Sequence, residues 1–201
     1  MSGQLGITLV RHPEVTLDIK GTCYGVTDVA LSQNGLASIP VIAAELCALQ
    51  PATVYHSGLT RARLLAESIA TAVGCSLRAE DRFREIDFGA WENRPWSEIF
   101  AEVGDDMARI IHEPDTFAPP GGETVHQLRD RVLSALGEVA LDEHCIVVAH
   151  GGPISAVRGT LAELPASQWP GLVPGYGEAV QLSVNEIRQL GIEMPIHQQT
   201  C

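Results

Sequence analysis

Leu9-Val10-Arg11-His12-Pro13 and Val147-Val148-Ala149-His150-Gly151-Gly152 are the two stretches that set the architecture. Each is a short apolar run that reads as a strand, ends in a histidine, and then meets a breaker. A third run, Thr53-Val54-Tyr55-His56-Ser57, ends the same way and leads into Arg61. Buried parallel strands read as continuous apolar runs, and open α/β sheets bind ligands beyond the carboxyl ends of their strands. As parallel neighbours, these three runs would bring His12, His150, Arg11 and Arg61 to one sheet edge. Two imidazoles and two guanidiniums suit a dianionic phosphate, whose oxygens an arginine fork matches with paired hydrogen bonds.

Strands and helices alternate outward from these runs. Strands are expected over residues 5–10, 53–57, 75–79, 145–149 and 179–184. A helix capped by Ser32 runs over 32–49, kinked or restarted at Pro40 and stopped by Pro51. The next covers 60–73, with Gly74 as its C′ residue and Arg61 on the same face as Leu65, Ile69 and Val73. Residues 95–111 read as helical, 124–141 as an amphipathic helix, and Pro153 as the opening of a helix towards Leu161. Residues 11–31, 81–93 and 114–122 read as loops, and the tail from Glu193 as frayed. The pattern predicts an α/β fold: a three-layer αβα sandwich with a mostly parallel central sheet. Residues 92–124 are the expected helical insertion, a lid or wall near the sheet edge.

The chain has 201 residues, 45% of them hydrophobic, which fits one domain over 1–201. Its net charge of −12 disfavours non-specific binding to nucleic acid or membrane surfaces. A small anion is still acceptable to a locally positive pocket. Lys20 is the only lysine, so nearly all positive charge is arginine. The five cysteines (Cys23, Cys47, Cys75, Cys145, Cys201) show no CxxC spacing, which disfavours a disulfide framework or a zinc site. His144 and His150 flank one strand without further ligands at metal-binding spacing. No signal-like or membrane-length apolar segment is evident. The expectation is a reduced, cytoplasmic protein with no metal or cofactor; a homodimer is left open.

A histidine at such an edge can donate to a phosphate oxygen or attack phosphorus through a neutral ring nitrogen. The residues alone do not decide which of His12 and His150 attacks. His12 sits beside Arg11 in a constrained loop. His150 precedes Gly151-Gly152-Pro153, a helix start whose N–H groups favour an anion and whose glycines permit close backbone approach. The leaving alkoxide needs a proton. Glu85, in Phe83-Arg84-Glu85-Ile86-Asp87-Phe88-Gly89, is the carboxyl chosen, since an apolar, aromatic-flanked loop would raise its pKa. Asp87 is its rival. His56, His112, His126, His144 and His197 read as structural or exposed.

Six stretches resemble, in order, the motifs of the histidine phosphatase superfamily, which has the phosphoglycerate-mutase-like fold. They are LVRHPE (Leu9–Glu14), YGVTDVALSQNG (Tyr24–Gly35), HSGLTRARLLAESIA (His56–Ala70), FREIDFGAWEN (Phe83–Asn93), PPGGETVHQLRDRV (Pro119–Val132) and VVAHGGPI (Val147–Ile154). The resemblance implies His12 as nucleophile, Arg11, Arg61 and His150 as phosphate binders, and Glu85 as proton donor. Within the superfamily, Gly21–Ser32 and Phe88–Ile99 look most like the α-ribazole phosphatases of cobalamin assembly. Four positions depart from the pattern: Pro13 and Val15 stand where glycine and a hydroxyl residue are usual, Asp18 replaces a phosphate-touching asparagine, and Gly58 replaces a proline. The implied activity is metal-independent hydrolysis of a small-metabolite phosphate monoester through a phosphohistidine. The alternatives are a phosphate-ligand binding protein with little turnover and a phosphoglycerate-mutase-type phosphotransferase.

Overall fold

The computed structural model describes residues 6–139 and 143–192. Strands β1 (Gly6–Arg11), β2 (Thr53–His56), β3 (Ser76–Ala79), β4 (Cys145–Ala149) and β5 (Ala179–Ser183) form one sheet in the order β3-β2-β4-β1-β5. The first four in that order run parallel, and β5 runs antiparallel to β1. The three histidine-ended runs are therefore the adjacent strands β2, β4 and β1. Arg11 lies opposite Ala149, and the His12 N–H donates to the Ala149 carbonyl at 3.0 Å. This fixes the two chain exits, His12 and His150, side by side.

The helices are α1 (Gln33–Cys47), α2 (Thr60–Val73), α3 (Trp96–Val103), α4 (Arg109–His112), α5 (Val125–Glu138), α6 (Gly151–Leu161) and α7 (Val184–Gln189). Alternate strand residues point to opposite faces. Leu9 and Val147 pack with Leu128 and Val132 of α5 and Ile154 and Val157 of α6. Val10, Val54 and Val148 pack with Leu46 of α1 and Leu65 and Ile69 of α2. The sheet is thus the middle of three layers, as expected. Edge strand β3 is exposed along its whole length.

The expected caps are present. Ser32 accepts from the Gly35 N–H, Gly74 closes α2 at φ 76°, and Thr124 forms a capping box with Gln127 at α5. Four boundaries differ from expectation. α1 continues through Pro40 as one helix. Pro40 and Leu36, whose carbonyl loses its N–H partner, lie on the exposed side, where water can satisfy it. Residues 95–111 divide into α3, a 3₁₀ turn over Gly104–Ala108, and α4. α6 begins at Gly151, not at Pro153, so both glycines are already helical. α7 was not anticipated, although its Ser183/Glu186 capping box is written in the sequence. The expected frayed tail lies outside the described residues. Among the described residues, no helix is long and apolar enough to cross a membrane.

Candidate active site

The end of β1 delivers His12 into a buried position, 2% exposed. Its Nδ1 lies 2.7 Å from the Pro13 carbonyl. A carbonyl only accepts, so Nδ1 carries the proton and Nε2 keeps its lone pair. Burial, reinforced by the charge of Arg61, lowers the His12 pKa to about 3. The ring is therefore neutral near pH 7, with the tautomer a nucleophile needs. Pro13 supports this: the ring nitrogen needs a carbonyl, which proline retains.

Arg61 comes from the first turn of α2, on the stripe that faces the sheet, and is fully buried. Nη1 donates to the Thr27 carbonyl at 2.7 Å and Nη2 to the Gly25 carbonyl at 2.6 Å. Nε donates to Nδ1 of His150 at 3.2 Å. That leaves the His150 proton on Nε2, which lies 2.7 Å from Ser57 Oγ. Burial, then the proximity of His12 and Arg61, hold the His150 pKa well below the ordinary histidine range. The His12 and His150 rings are 5.0 Å apart, centroid to centroid. His150 is thus where the sequence placed it, but its Nε2 is engaged by Ser57. Contact with a phosphate oxygen requires that bond to exchange. Ser57, fully buried, was not singled out from sequence, although it follows the β2 histidine directly.

Arg11 completes the cluster. Nη1 donates to the Pro174 carbonyl at 2.7 Å, and the guanidinium lies 4.1 Å from the centre of the Tyr176 ring. Its Nε is the one buried side-chain polar atom among the described residues that has no hydrogen-bond partner. An unsatisfied buried donor is costly, and a phosphate oxygen is an acceptor of the right charge. Tyr176 also packs on His12 at 5.6 Å, and its hydroxyl meets that of Tyr24 at 3.2 Å. Tyr24 opens one of the six resembling stretches, whereas Tyr176 carried no signal beyond its aromatic type.

Glu85 reaches the same place by a different route from the one expected. Its surroundings are not simply apolar. The Gly152 N–H, in the first turn of α6, donates to both carboxylate oxygens at 3.0 and 3.1 Å, and the Ile86 N–H adds a contact at 3.0 Å. The helix start that was read as a phosphate seat therefore holds a side-chain carboxylate at Gly152. A Cβ at residue 152 would lie 2.1 Å from Glu85 Oε1, so any side chain there would displace the carboxylate from this seat. A Cβ at Gly151 would sit 2.9 Å from Val173 and 3.7 Å from both Arg11 Nε and Glu85 Oε2. Gly151 is thus inside the cluster.

Arg131 of α5 fastens the loop that carries Glu85. It donates to the carbonyls of Arg82, Arg84 and Glu85 at 2.7, 2.8 and 2.9 Å, and is paired with Glu123. Asp87, the rival acid, instead accepts from the Gly89 N–H at 2.8 Å within its own turn. The departures from the family pattern also find places. Asp18 is exposed and accepts from the Thr16 hydroxyl at 3.4 Å. Val15 packs with Val29 and Leu31. Gly58 adopts φ 84°, which proline cannot, and its N–H donates to His56 Nδ1. His144 bonds Thr8 at the far end of β4 from His150, so the two do not converge on a metal. His126 pairs with Asp115, and His197 lies outside the described residues.

The histidine phosphatase superfamily (branch 1) model matches residues 7–190. Phosphoserine phosphatase 1 of Hydrogenobacter thermophilus is 31% identical over 166 residues, covering 81% of this chain and 79% of the relative. A mycobacterial glucosyl-3-phosphoglycerate phosphatase, solved with inorganic phosphate, superposes with a TM-score of 0.76 at 27% identity, covering 92% of each chain. The α-ribazole phosphatase of Shigella flexneri shares the fold, with a TM-score of 0.77 at 20% identity over 89% of this chain and 90% of that one. Probable phosphoglycerate mutases of Salmonella are 28% identical over 165 residues. The family model spans nearly the whole chain and the relatives at 29–31% identity are named phosphatases, so this chain is a phosphatase and belongs to the histidine phosphatase superfamily, branch 1.

Proposed function

We propose that the chain hydrolyses a small-metabolite phosphate monoester without a metal ion, through a phosphohistidine on Nε2 of His12. The observation that carries this reading is the bond from His12 Nδ1 to the Pro13 carbonyl, which leaves an unprotonated Nε2 on a neutral ring that feels the charges of Arg61 and Arg11. Arg11 and Arg61 hold the phosphate oxygens and neutralise their charge. Gly151 offers its backbone, and His150 donates once it releases Ser57. In the first step Nε2 forms a bond to phosphorus, the ester P–O bond breaks, and the leaving oxygen takes the proton of the Glu85 carboxyl. In the second step water attacks phosphorus and gives its proton to Glu85. The P–N bond breaks, and inorganic phosphate leaves.

α-Ribazole 5′-phosphate is the first candidate ester, supported by the Gly21–Ser32 and Phe88–Ile99 stretches and by the shared fold of the Shigella enzyme. O-Phosphoserine follows from the relative at 31% identity. The test is phosphate release from both esters in excess EDTA, with His12→Ala alongside. Wild-type protein should turn over in EDTA and form an acid-labile phosphoenzyme. His12→Ala should form none and lose at least ~10³-fold in rate. Full activity in His12→Ala would overturn the nucleophile assignment. Delivery of the phosphoryl group to an acceptor other than water would make the chain a phosphotransferase instead.

A further inference from the structure

Next to the phosphate cluster lies an open cavity of about 360 Å³, near the lower end of the roughly 300–1,000 Å³ typical of small-molecule sites. One wall is built from the immediate neighbours of the proposed reacting groups. Gly152, whose N–H holds the Glu85 carboxylate, lines it, as do Ile86, the residue after Glu85, and Val173, which packs against Gly151. Trp96, Ile110 and Ile111 of the 92–124 segment form another wall. No charged side chain lines the cavity. Its polar groups are committed elsewhere: Ser155 Oγ donates to the Gly152 carbonyl at 3.0 Å and Trp169 Nε1 to the Leu164 carbonyl at 2.9 Å.

The position of Glu85 gives this cavity a role. If Glu85 protonates the leaving oxygen, that oxygen lies within hydrogen-bond reach of the carboxyl. Gly152 borders both that carboxyl and the cavity, so the cavity is open to the carbon that the oxygen carries. From this geometry we infer that the alcohol half of the ester bears an uncharged apolar group, which enters this cavity. The inference rests on the proposed role of Glu85 and names the substrate class for that same site. A carboxylate on the alcohol would lose its hydration here and meet no compensating donor. Phosphate esters of hydroxy acids and amino acids therefore fit the cavity poorly, whatever the related phosphatases act on. The aromatic edges of Phe88, Trp96 and Trp169 suit a flat ring, which gains from offset or edge-to-face contact.

The test uses the intact protein and two non-hydrolysable probes, 2-(2-naphthyl)ethylphosphonate and ethylphosphonate, measured by calorimetry. The first should bind at least tenfold more tightly, and Ile111→Asp should bring the ratio close to one. Equal affinity of the two probes for the wild-type protein overturns the inference, and this comparison decides the matter even if Ile111→Asp fails to fold. In turnover, 2-(2-naphthyl)ethyl phosphate should exceed glycerol 1-phosphate and O-phosphoserine by at least tenfold in kcat/KM. Equal kcat/KM on all three also overturns it. A retained phosphonate preference with no ester hydrolysed would uphold the cavity assignment and sink the hydrolytic reading of Glu85 and His12.

Discussion

Glu85 and Gly152 form a pair whose logic is visible only atom by atom. The carboxylate is seated on the first turn of α6 because residue 152 has no side chain. If Glu85 delivers the proton to the leaving group, Glu85→Gln should cost about 10²–10⁴-fold in kcat/KM on alkyl phosphates, the usual span for a general acid. The loss should be much smaller on aryl phosphates, whose leaving groups need no proton. Gly152→Ala should move the carboxylate and reproduce this selectivity in weaker form, with at least a tenfold loss on alkyl esters. A series of esters with graded leaving groups measures it: the dependence of rate on leaving-group pKa should steepen in both variants. Equal losses across the series would contradict the role of Glu85. At this scale the sequence was partly legible. Arg61 could be placed because its helix stripe points at the sheet. The His150–Ser57 bond could not be placed, because it joins residues 93 positions apart.

The loop between β1 and α1 depends on another side chain at the element scale. Glu92, just after the 3₁₀ turn Gly89–Trp91, accepts the backbone N–H groups of Gly25, Val26, Thr27 and Phe88 and the hydroxyl of Thr27. The carbonyls of Gly25 and Thr27, in that same loop, accept from Arg61. Glu92 thus orders the loop that aims the guanidinium. Glu92→Gln would set an amide NH₂ against N–H donors. It should lower stability by about 2–3 kcal/mol and weaken inhibition by inorganic phosphate through the loosened Arg61. Urea unfolding and phosphate inhibition check this, and a variant unchanged on both would remove Glu92 from the argument. The strands and the helices α2 and α5 were readable because periodicity and caps are local signals. The start of α6 was misplaced because Gly-Gly reads as a breaker. Here it is instead the condition for the Glu85 contact. The clamps of Glu92 and Arg131 span 46 to 67 positions, and no local pattern announces them.

The whole molecule is acidic, with a net charge of −12, yet it buries three histidines (His12, His56 and His150) and Arg61 at one sheet edge. That arrangement links stability to pH. An unfolded histidine titrates near pH 6.5, whereas His12 in the native protein titrates at about 3, because of burial first and then Arg61. His150 and His56 are shifted in the same direction, in both cases by burial first. Between these values the unfolded chain binds protons that the native state refuses, so stability falls as the pH is lowered from 6.5 towards 3. Each such histidine contributes a slope approaching roughly 1.4 kcal/mol per pH unit. Glu80 and Glu186, whose pKa values are lowered by hydrogen bonds to Arg82 and Ser183, lose their contributions only below the ordinary glutamate range. The interval from about pH 5 to about pH 6 therefore isolates the histidines. Over that interval, urea unfolding of wild-type protein should show stability rising with pH. His12→Asn should flatten the slope by about one proton, or roughly 1.4 kcal/mol per pH unit. Identical slopes would mean that His12 takes up its proton in the native state as readily as in the unfolded chain. Its neutral ring, and with it the phosphohistidine route, would then lose its physical basis.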